Sequence, residues 1–148
     1  MSRTLKGLVR LRKWDVDEKR RFLARLIASE EQLIALLLAL EEQGIKERHA
    51  AAADPLGAGL TYGGYVRWAK ERRETLEKTL KDLRRQISAA RDTLAEAFKE
   101  LKTSEIAEDN RIGRETSMRE RQERALQDDI GLEIYRRRGG RTSLLTRK

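Results

Sequence analysis

Two runs of heptad-spaced apolar residues, separated by the only proline of the chain, constrain the fold more than any other feature. Alternating spacings of three and four residues predict amphipathic helices with a narrow apolar seam. Pro55 and the glycines that follow it end the first helix, because proline lacks the backbone donor that a helix interior needs. The first seam is Leu5, Val9, Val16, Leu23, Leu26, Leu33, Leu37 and Leu40, with Arg12, Lys19 and Glu30 at seam positions between them. The second seam is Tyr62, Val66, Ala69, Leu76, Leu80, Leu83, Ile87, Ala90, Leu94, Ala97 and Leu101.

A chain that folds back near residue 57 pairs positions whose numbers sum to about 114. The apolar content of the second seam then fades near Ile112, where the first helix no longer has residues to pair with it. This agreement predicts an all-α fold, a long antiparallel two-helix coiled-coil hairpin whose second helix is longer than the first. We expect a single hairpin over residues 1–138. Helix one covers about 4–52, the turn 54–61, helix two about 62–135, and a disordered basic tail 139–148. Residues 113–135 overhang helix one, and we expect them to be frayed without a partner.

Composition argues against an enzyme and against any cofactor or metal site. The chain has no cysteine and one histidine, His49, and 39% of its residues are charged. Its carboxylates are spaced as solvated helix surfaces and lack the enclosed cleft that acid–base catalysis needs. The glycine cluster GAGLTYGG at residues 57–64 follows no strand and lacks the lysine of a phosphate-binding loop.

Positive charge is concentrated at the two ends of the sequence. Residues 1–21 carry eight Lys/Arg and three Asp/Glu, residues 136–148 carry six Lys/Arg and no acid, and the body between them is near neutral. Basic ends can bind phosphate backbones, anionic lipid or acidic protein surfaces. No signal peptide fits the basic start, and the longest apolar run is too short to span a bilayer. We therefore expect a soluble, cytoplasmic protein.

Several apolar side chains do not fit a two-stranded seam. Tyr62, Tyr65 and Trp68 cluster beside the turn, where they either cover the open end of the coiled coil or form a docking surface. The heptad register places Trp14 on the outer face, so either the register slips there or Trp14 anchors a partner. Leu38 is also predicted to point outward.

Four pieces of the sequence, in this order, resemble the flagellar export protein FliJ family in its alphaproteobacterial form. They are LVRLRKWDVDEKRRFLARL (8–26), DPLGAGLTYGGYVRWAKERRETL (54–76), LAEAFKELKTSEIAEDNR (94–111) and DDIGLEIYRRR (128–138). The resemblance implies a coiled coil similar to that of the rotary ATP synthase gamma subunit. It also implies a role without catalytic residues in the flagellar type III secretion apparatus.

The resemblance also implies partners and a location. The partners are the flagellar export ATPase, its regulator, the export-gate membrane protein and export chaperones. We expect no small-molecule substrate, and nucleic acid is the less favoured alternative. The location is cytoplasmic and peripheral to the inner face of the cell membrane at the flagellar base. In a gamma-like arrangement the termini end enters the ATPase ring and the tip faces the gate.

Two surfaces are carried over from the resemblance as hypotheses. The tip surface for the gate consists of Tyr62, Tyr65, Trp68, Ala69 and Leu76, where Ala69 replaces the larger apolar residue of the family pattern. The termini-end surface for the ATPase ring consists of Arg10, Arg12, Lys13, Trp14, Arg20 and Arg21.

Two other functions remain open on the sequence. A basic coiled coil can bind nucleic acid without sequence preference, and such binding would depend steeply on salt. A coiled-coil adaptor could instead serve a virulence-type secretion system. The residues alone do not distinguish the two secretion systems, nor a monomer from a dimer.

Overall fold

The chain forms two α-helices, α1 from Ser2–Ala53 and α2 from Ala58–Leu145, packed against each other as a helical hairpin. This computed structural model describes the backbone of residues 2–145 and the side chains of residues 4–139. No strand occurs in that part of the chain. The predicted all-α class and the longer second helix are therefore confirmed.

Residues Arg10–Leu101 form one compact unit, the central unit, held together by the predicted seam. Its buried apolar side chains all occupy seam positions, and the other leucines of the first seam are half-buried. Because the core is only one seam wide, most side chains on the remaining faces are solvated. The buried apolar set of the central unit is Val16, Leu40, Leu76, Leu80, Leu83, Ile87, Ala90 and Ala97.

The polar residues at seam positions of the central unit are half-buried and ion-paired. Arg12 Nη1 donates to Glu100 Oε2 at 2.5 Å, and Arg84 Nε lies 3.8 Å from Glu30 Oε2. Lys19 Nζ donates to Asp15 within α1 at 2.7 Å. The two pairs that cross between the helices join residues whose numbers sum to about 114, which confirms the antiparallel register for this unit.

The turn between the helices is shorter than predicted. Asp54 Oδ1 accepts a hydrogen bond from the Gly57 amide at 3.1 Å, three residues ahead, and Pro55 follows Asp54 directly. This is the arrangement of a helix N-cap with proline at the first helical position. Helix α2 therefore begins at Ala58, not near Tyr62, and three of the four glycines lie inside it.

The glycines on either side of the start of α2 differ in the space around them. A Cβ on Gly57 would collide with the Asp54 carboxylate, so a larger residue there would displace the capping group. A Cβ on Gly59 would lie 3.4 Å from the Asp54 carbonyl oxygen and 3.5 Å from that of Ala51. The Gly59 amide instead donates to the Asp54 carbonyl at 2.9 Å. Only Gly57 is therefore required for close approach, because a Cβ on Gly59 would be in ordinary van der Waals contact, and no described glycine has a positive φ.

The second compact unit consists of Met1–Val9 and Lys102–Lys148. Within this unit, Leu5, Leu8 and Val9 of α1 are half-buried. The buried residues of α2 in the unit are polar: Ser104 and Glu108. Arg111 donates through Nη2 to Glu108 at 2.8 Å and through Nη1 to Glu115 at 2.7 Å. The hydrogen bond from Arg111 to Glu108, aided by the positive charges of Arg111 and Lys6, holds the pKa of Glu108 below its ordinary value. Burial opposes this shift.

The Glu108–Arg111 pair makes this unit sensitive to acid. A carboxyl group with a lowered pKa in the folded state stabilises it above the unfolded pKa, near 4.5, and this contribution disappears as the pH falls through the lowered value. We expect Glu108→Gln to speed amide exchange in residues 102–112 at pH 7, and the difference from the natural chain to vanish well below pH 4. Asp109→Asn, at an exposed neighbour, is the control. An equal acceleration at both pH values would contradict the prediction.

Beyond Arg111 the second helix has no cover within its unit. Every described side chain from residue 112 to residue 139 is exposed. The backbone of this overhang is helical. The prediction that it frays without a partner remains a prediction. Of the predicted disordered tail, the backbone of residues 139–145 is helical, whereas residues 146–148 and the side chains beyond residue 139 lie outside the described residues.

Candidate partner-binding surfaces

Three aromatic side chains at the start of α2 contact one another in sequence, the first pair stacked and the second tilted. The rings of Tyr62 and Tyr65 have centroids 6.5 Å apart at an interplanar angle of 24°, and those of Tyr65 and Trp68 are 5.9 Å apart at 40°. Successive members are three residues apart, which places them on neighbouring positions of one helix face. Trp68 is the outermost of the three, with 51% of its surface exposed.

The middle ring of the three faces α1. Tyr65 is half-buried, and its hydroxyl oxygen is inaccessible to solvent and has no hydrogen-bond partner. That oxygen lies 3.9 Å from the position of a Cβ on Gly44, so the glycine leaves room for the ring at the interface. The heptad pattern assigned this inward position to Val66, which is exposed. The prediction for Val66 is therefore wrong, and the large ring next to Gly44 takes its place.

The buried hydroxyl of Tyr65 predicts an unusual response to mutation. An unpaired buried hydroxyl costs about 1–3 kcal/mol, so Tyr65→Phe is expected to leave stability unchanged or raise it by up to about 1 kcal/mol. Tyr65→Ala removes the ring as well and is expected to cost about 1–3 kcal/mol. Denaturant unfolding of both variants measures the difference. A loss of more than about 1 kcal/mol in Tyr65→Phe would show that the hydroxyl has a favourable partner.

The remaining residues proposed for the tip surface are less accessible. Ala69 is half-buried, and Leu76 is only 6% exposed because it belongs to the apolar core of the central unit. Leu76 can therefore support the surface by holding α2 in place, but it offers almost no area to a partner. Trp68 and the edge of Tyr62 are the accessible part of the tip surface.

The residues proposed for the basic surface of α1 differ in exposure. Arg10, Lys13, Arg20 and Arg21 are exposed within the central unit. Arg12 differs, because it is half-buried, paired with Glu100, and has a buried Nε without a partner. Arg20 places its guanidinium 4.7 Å from the ring centroid of Phe98, a cation–π contact across the two helices. Arg21 Nη1 lies 3.3 Å from Glu18 Oε1.

The two apolar side chains of α1 that the register was predicted to place outward are exposed to solvent. Trp14 is 60% exposed and Leu38 is 56% exposed. Because Val16 is buried two residues after Trp14, the register does not slip there. The alternative of a register slip is therefore wrong, and Trp14 lies beside the exposed cations of α1.

Two features of the hairpin were not found by sequence reasoning. Leu56 in the turn is 84% exposed and Leu60 in the first turn of α2 is 78% exposed, more than any other large apolar side chain described. Residues 67–91 carry nine Lys/Arg and four Asp/Glu, a net charge of +5, although the sequence between the two basic ends is near neutral as a whole. A charge count by segment would have found the second feature, whereas the exposure of the leucines depends on where α2 begins.

Neither a metal centre nor a membrane span is found in the described part of the chain. No group of three or more His, Cys, Asp and Glu side chains there could hold a metal ion. No helix within the described residues is long and apolar enough to cross a bilayer. What the geometry offers is two solvated surfaces, an aromatic one at the tip and a basic one on α1.

Comparison with known proteins identifies one family. The family model for FliJ, described as flagellar FliJ protein, matches residues 1–140. Searches of curated proteins and of solved structures found no match.

Proposed function

Because the chain belongs to the FliJ family, whose members are coiled-coil proteins of flagellar export, we propose that it is a non-enzymatic coupling rod of the flagellar type III export apparatus. The observation that carries this proposal is the family match, which covers nearly the whole hairpin. A two-helix coiled coil with a continuous seam suits such a role, because every described stretch of its core is supported by a facing helix. The same family match favours the flagellar system over the virulence-type adaptor.

The export ATPase is the proposed partner of the basic surface of α1. Arg10 and Lys13 are exposed and have no ion-pair partner among the described residues. Such cations can meet acidic groups lining a protein ring without first breaking an internal salt bridge. Charge complementarity of this kind speeds encounter and sets orientation more than it adds raw affinity. Trp14, exposed next to them, supplies the apolar area that concentrates binding energy.

The export gate is the proposed partner of the tip. Trp68 presents about half of its surface and is backed by the tilted ring of Tyr65. A ring held by its neighbours loses little conformational freedom on binding, which favours its use as an anchor. Tyr65, Ala69 and Leu76 then position this anchor, and Tyr62 flanks it.

The regulator of the ATPase and the export chaperones complete the proposed set of partners. Residues 112–139, whose described side chains are all exposed, provide helix surface for them without opening the hairpin. Through these partners the protein would lie in the cytoplasm at the inner face of the membrane, at the flagellar base. Handling of chaperones is part of the same proposal.

Affinity capture from lysate of the source cell, with and without nuclease, tests the proposed function. We expect the export ATPase, its regulator and the gate protein to co-purify whether or not nuclease is present. Trp68→Ala is expected to reduce recovery of the gate protein alone, and Leu38→Ala on the opposite helix is the matched control. Loss of all captured protein on nuclease treatment would contradict the export role and favour nucleic-acid binding.

A further inference from the structure

The two helices of the central unit differ in charge on either side of the turn. Residues 22–53 of α1 carry three Lys/Arg and five Asp/Glu, a net charge of −2, whereas residues 67–91 of α2 carry +5. Among those nine cations, only Arg84 has an ion pair within the described residues, with Glu30 of α1. The others are exposed. Residues 67–91 of α2 therefore present a net charge of +5 to solvent.

Part of this charge lies on the face of α2 that points away from α1. Leu76, Leu80, Leu83 and Ile87 are buried and define the inner face. At 3.6 residues per turn, the positions directly opposite are those of Arg67, Lys78 and Arg85, with Lys70 and Lys81 beside them. From Arg67 to Arg85 this basic face extends about 27 Å along the helix. Glu71, Glu74 and Asp82 lie on the same outward half of the helix, so this face carries five cations and three carboxylates, a net charge of +2.

The basic face continues into an apolar protrusion at the turn. Leu60 lies seven residues before Arg67, hence on the same outward face, and Leu56 lies in the turn just before α2. Both leucines are almost fully exposed. Between Leu60 and Arg67, Gly63 and Gly64 have open space where a side chain would be, so the backbone there can approach a flat surface closely.

We propose that the surface from Leu56 to Arg85 binds directly to a bilayer containing anionic phospholipid. The two leucines enter the boundary between headgroups and acyl chains, and the cations of the basic face contact the phosphates. Two exposed leucines beside a helix face with a net positive charge fit a continuous anionic surface, which needs no matching pocket. A nucleic acid would use the cations but offers no apolar layer for the leucines. Such surface contact is independent of the export partners.

Vesicle binding tests the proposal with the full-length chain. Vesicles of phosphatidylcholine, with or without phosphatidylglycerol, are sedimented and the bound fraction of protein is measured. We expect affinity for the anionic vesicles to be at least about tenfold higher than for the neutral ones, and to fall as salt screens the charges. The double variant Leu56→Ser with Leu60→Ser is expected to lose about tenfold or more of the binding to anionic vesicles. The pair Lys78→Glu with Arg85→Glu is expected to lose a similar amount.

Matched control variants show whether the loss of vesicle binding is specific to the surface from Leu56 to Arg85. Leu126→Ser with Leu132→Ser removes two exposed leucines from the overhang, and Arg119→Glu with Arg121→Glu reverses two exposed charges there. Both are expected to bind like the natural chain. All of these positions are exposed, so circular dichroism should report unchanged helix content in every variant.

Insertion of the leucines into the bilayer can be measured with a fluorophore on one introduced cysteine, because the natural chain has no cysteine. A polarity-sensitive fluorophore on Leu56→Cys is expected to shift to the blue on anionic vesicles, and the same label on Leu38→Cys is not. No binding to anionic vesicles would overturn the proposal. Binding that is unaffected by the leucine variant and is matched by duplex DNA would also overturn it, since the surface would then bind polyanions in general.

Discussion

Reversing two exposed cations on the basic surface of α1, with Arg10→Glu and Lys13→Glu, is expected to lower the affinity for the export ATPase by about ten- to a hundredfold. Each reversal removes one attraction and adds one repulsion if the ring lining is acidic. Neither side chain has an ion-pair partner among the described residues, so the change leaves no internal charge unpaired. Binding of purified protein to purified ATPase at low and moderate salt measures the effect.

The design separates binding from folding. Arg12 is left unchanged because its guanidinium pairs with Glu100, and its reversal would place two carboxylates together in the half-buried interface. Arg119→Glu with Arg121→Glu, which makes the same change in net charge on the overhang, is the control. Equal weakening by both double variants would indicate a net-charge effect. Unchanged affinity in the α1 variant would remove this surface from the proposed mechanism.

Truncating the centre of the apolar seam, with Ile87→Ala, is expected to cost about 2–5 kcal/mol of the free energy of unfolding. Ile87 is 4% exposed and belongs to a core only one seam wide, so few neighbouring side chains can move to fill the space. Denaturant titration followed by circular dichroism measures the loss. We expect the transition midpoint to fall with an unchanged slope, since the same surface is exposed on unfolding.

A matched variant on the same helix is Ile130→Ala. Ile130 lies on the exposed overhang, and the same truncation there is expected to change stability by less than about 0.5 kcal/mol. A similar loss in both variants would mean that the overhang is packed against something in solution, such as a second copy. A negligible loss in Ile87→Ala would contradict the buried seam itself.

The polar seam residues show how far the heptad pattern could be followed. Arg12, Lys19 and Glu30 look like interruptions in the sequence, yet all three are half-buried and ion-paired in the structure. The pattern predicted their position correctly but not their partners. Glu100 and Arg84 pair with α1 residues only because the register brings them opposite, and a one-dimensional pattern does not show which long side chains will reach across.

At the tip, the sequence showed which residues cluster but not how their side chains are oriented. The aromatic cluster was visible in the sequence, but its use was not, because two interpretations required opposite orientations of the same rings. The structure divides the cluster, with Tyr65 facing α1 at Gly44 and Trp68 largely in solvent. The glycine cluster likewise suggested a longer turn than Asp54 and Pro55 allow. Leu56 and Leu60 were passed over because a leucine at either site could have been buried by a different turn.

Heptad spacing and a single proline are local properties of the chain, and they were sufficient to predict two helices, their order of length and their antiparallel register. Apolar periodicity specifies which face of each helix avoids water whatever its partner, and proline ends a helix regardless of its surroundings. Side-chain orientation at the tip and the partners of the half-buried charges depend on which atoms of the other helix lie opposite. Those atoms are supplied by residues dozens of positions away, so only the packed hairpin decided them.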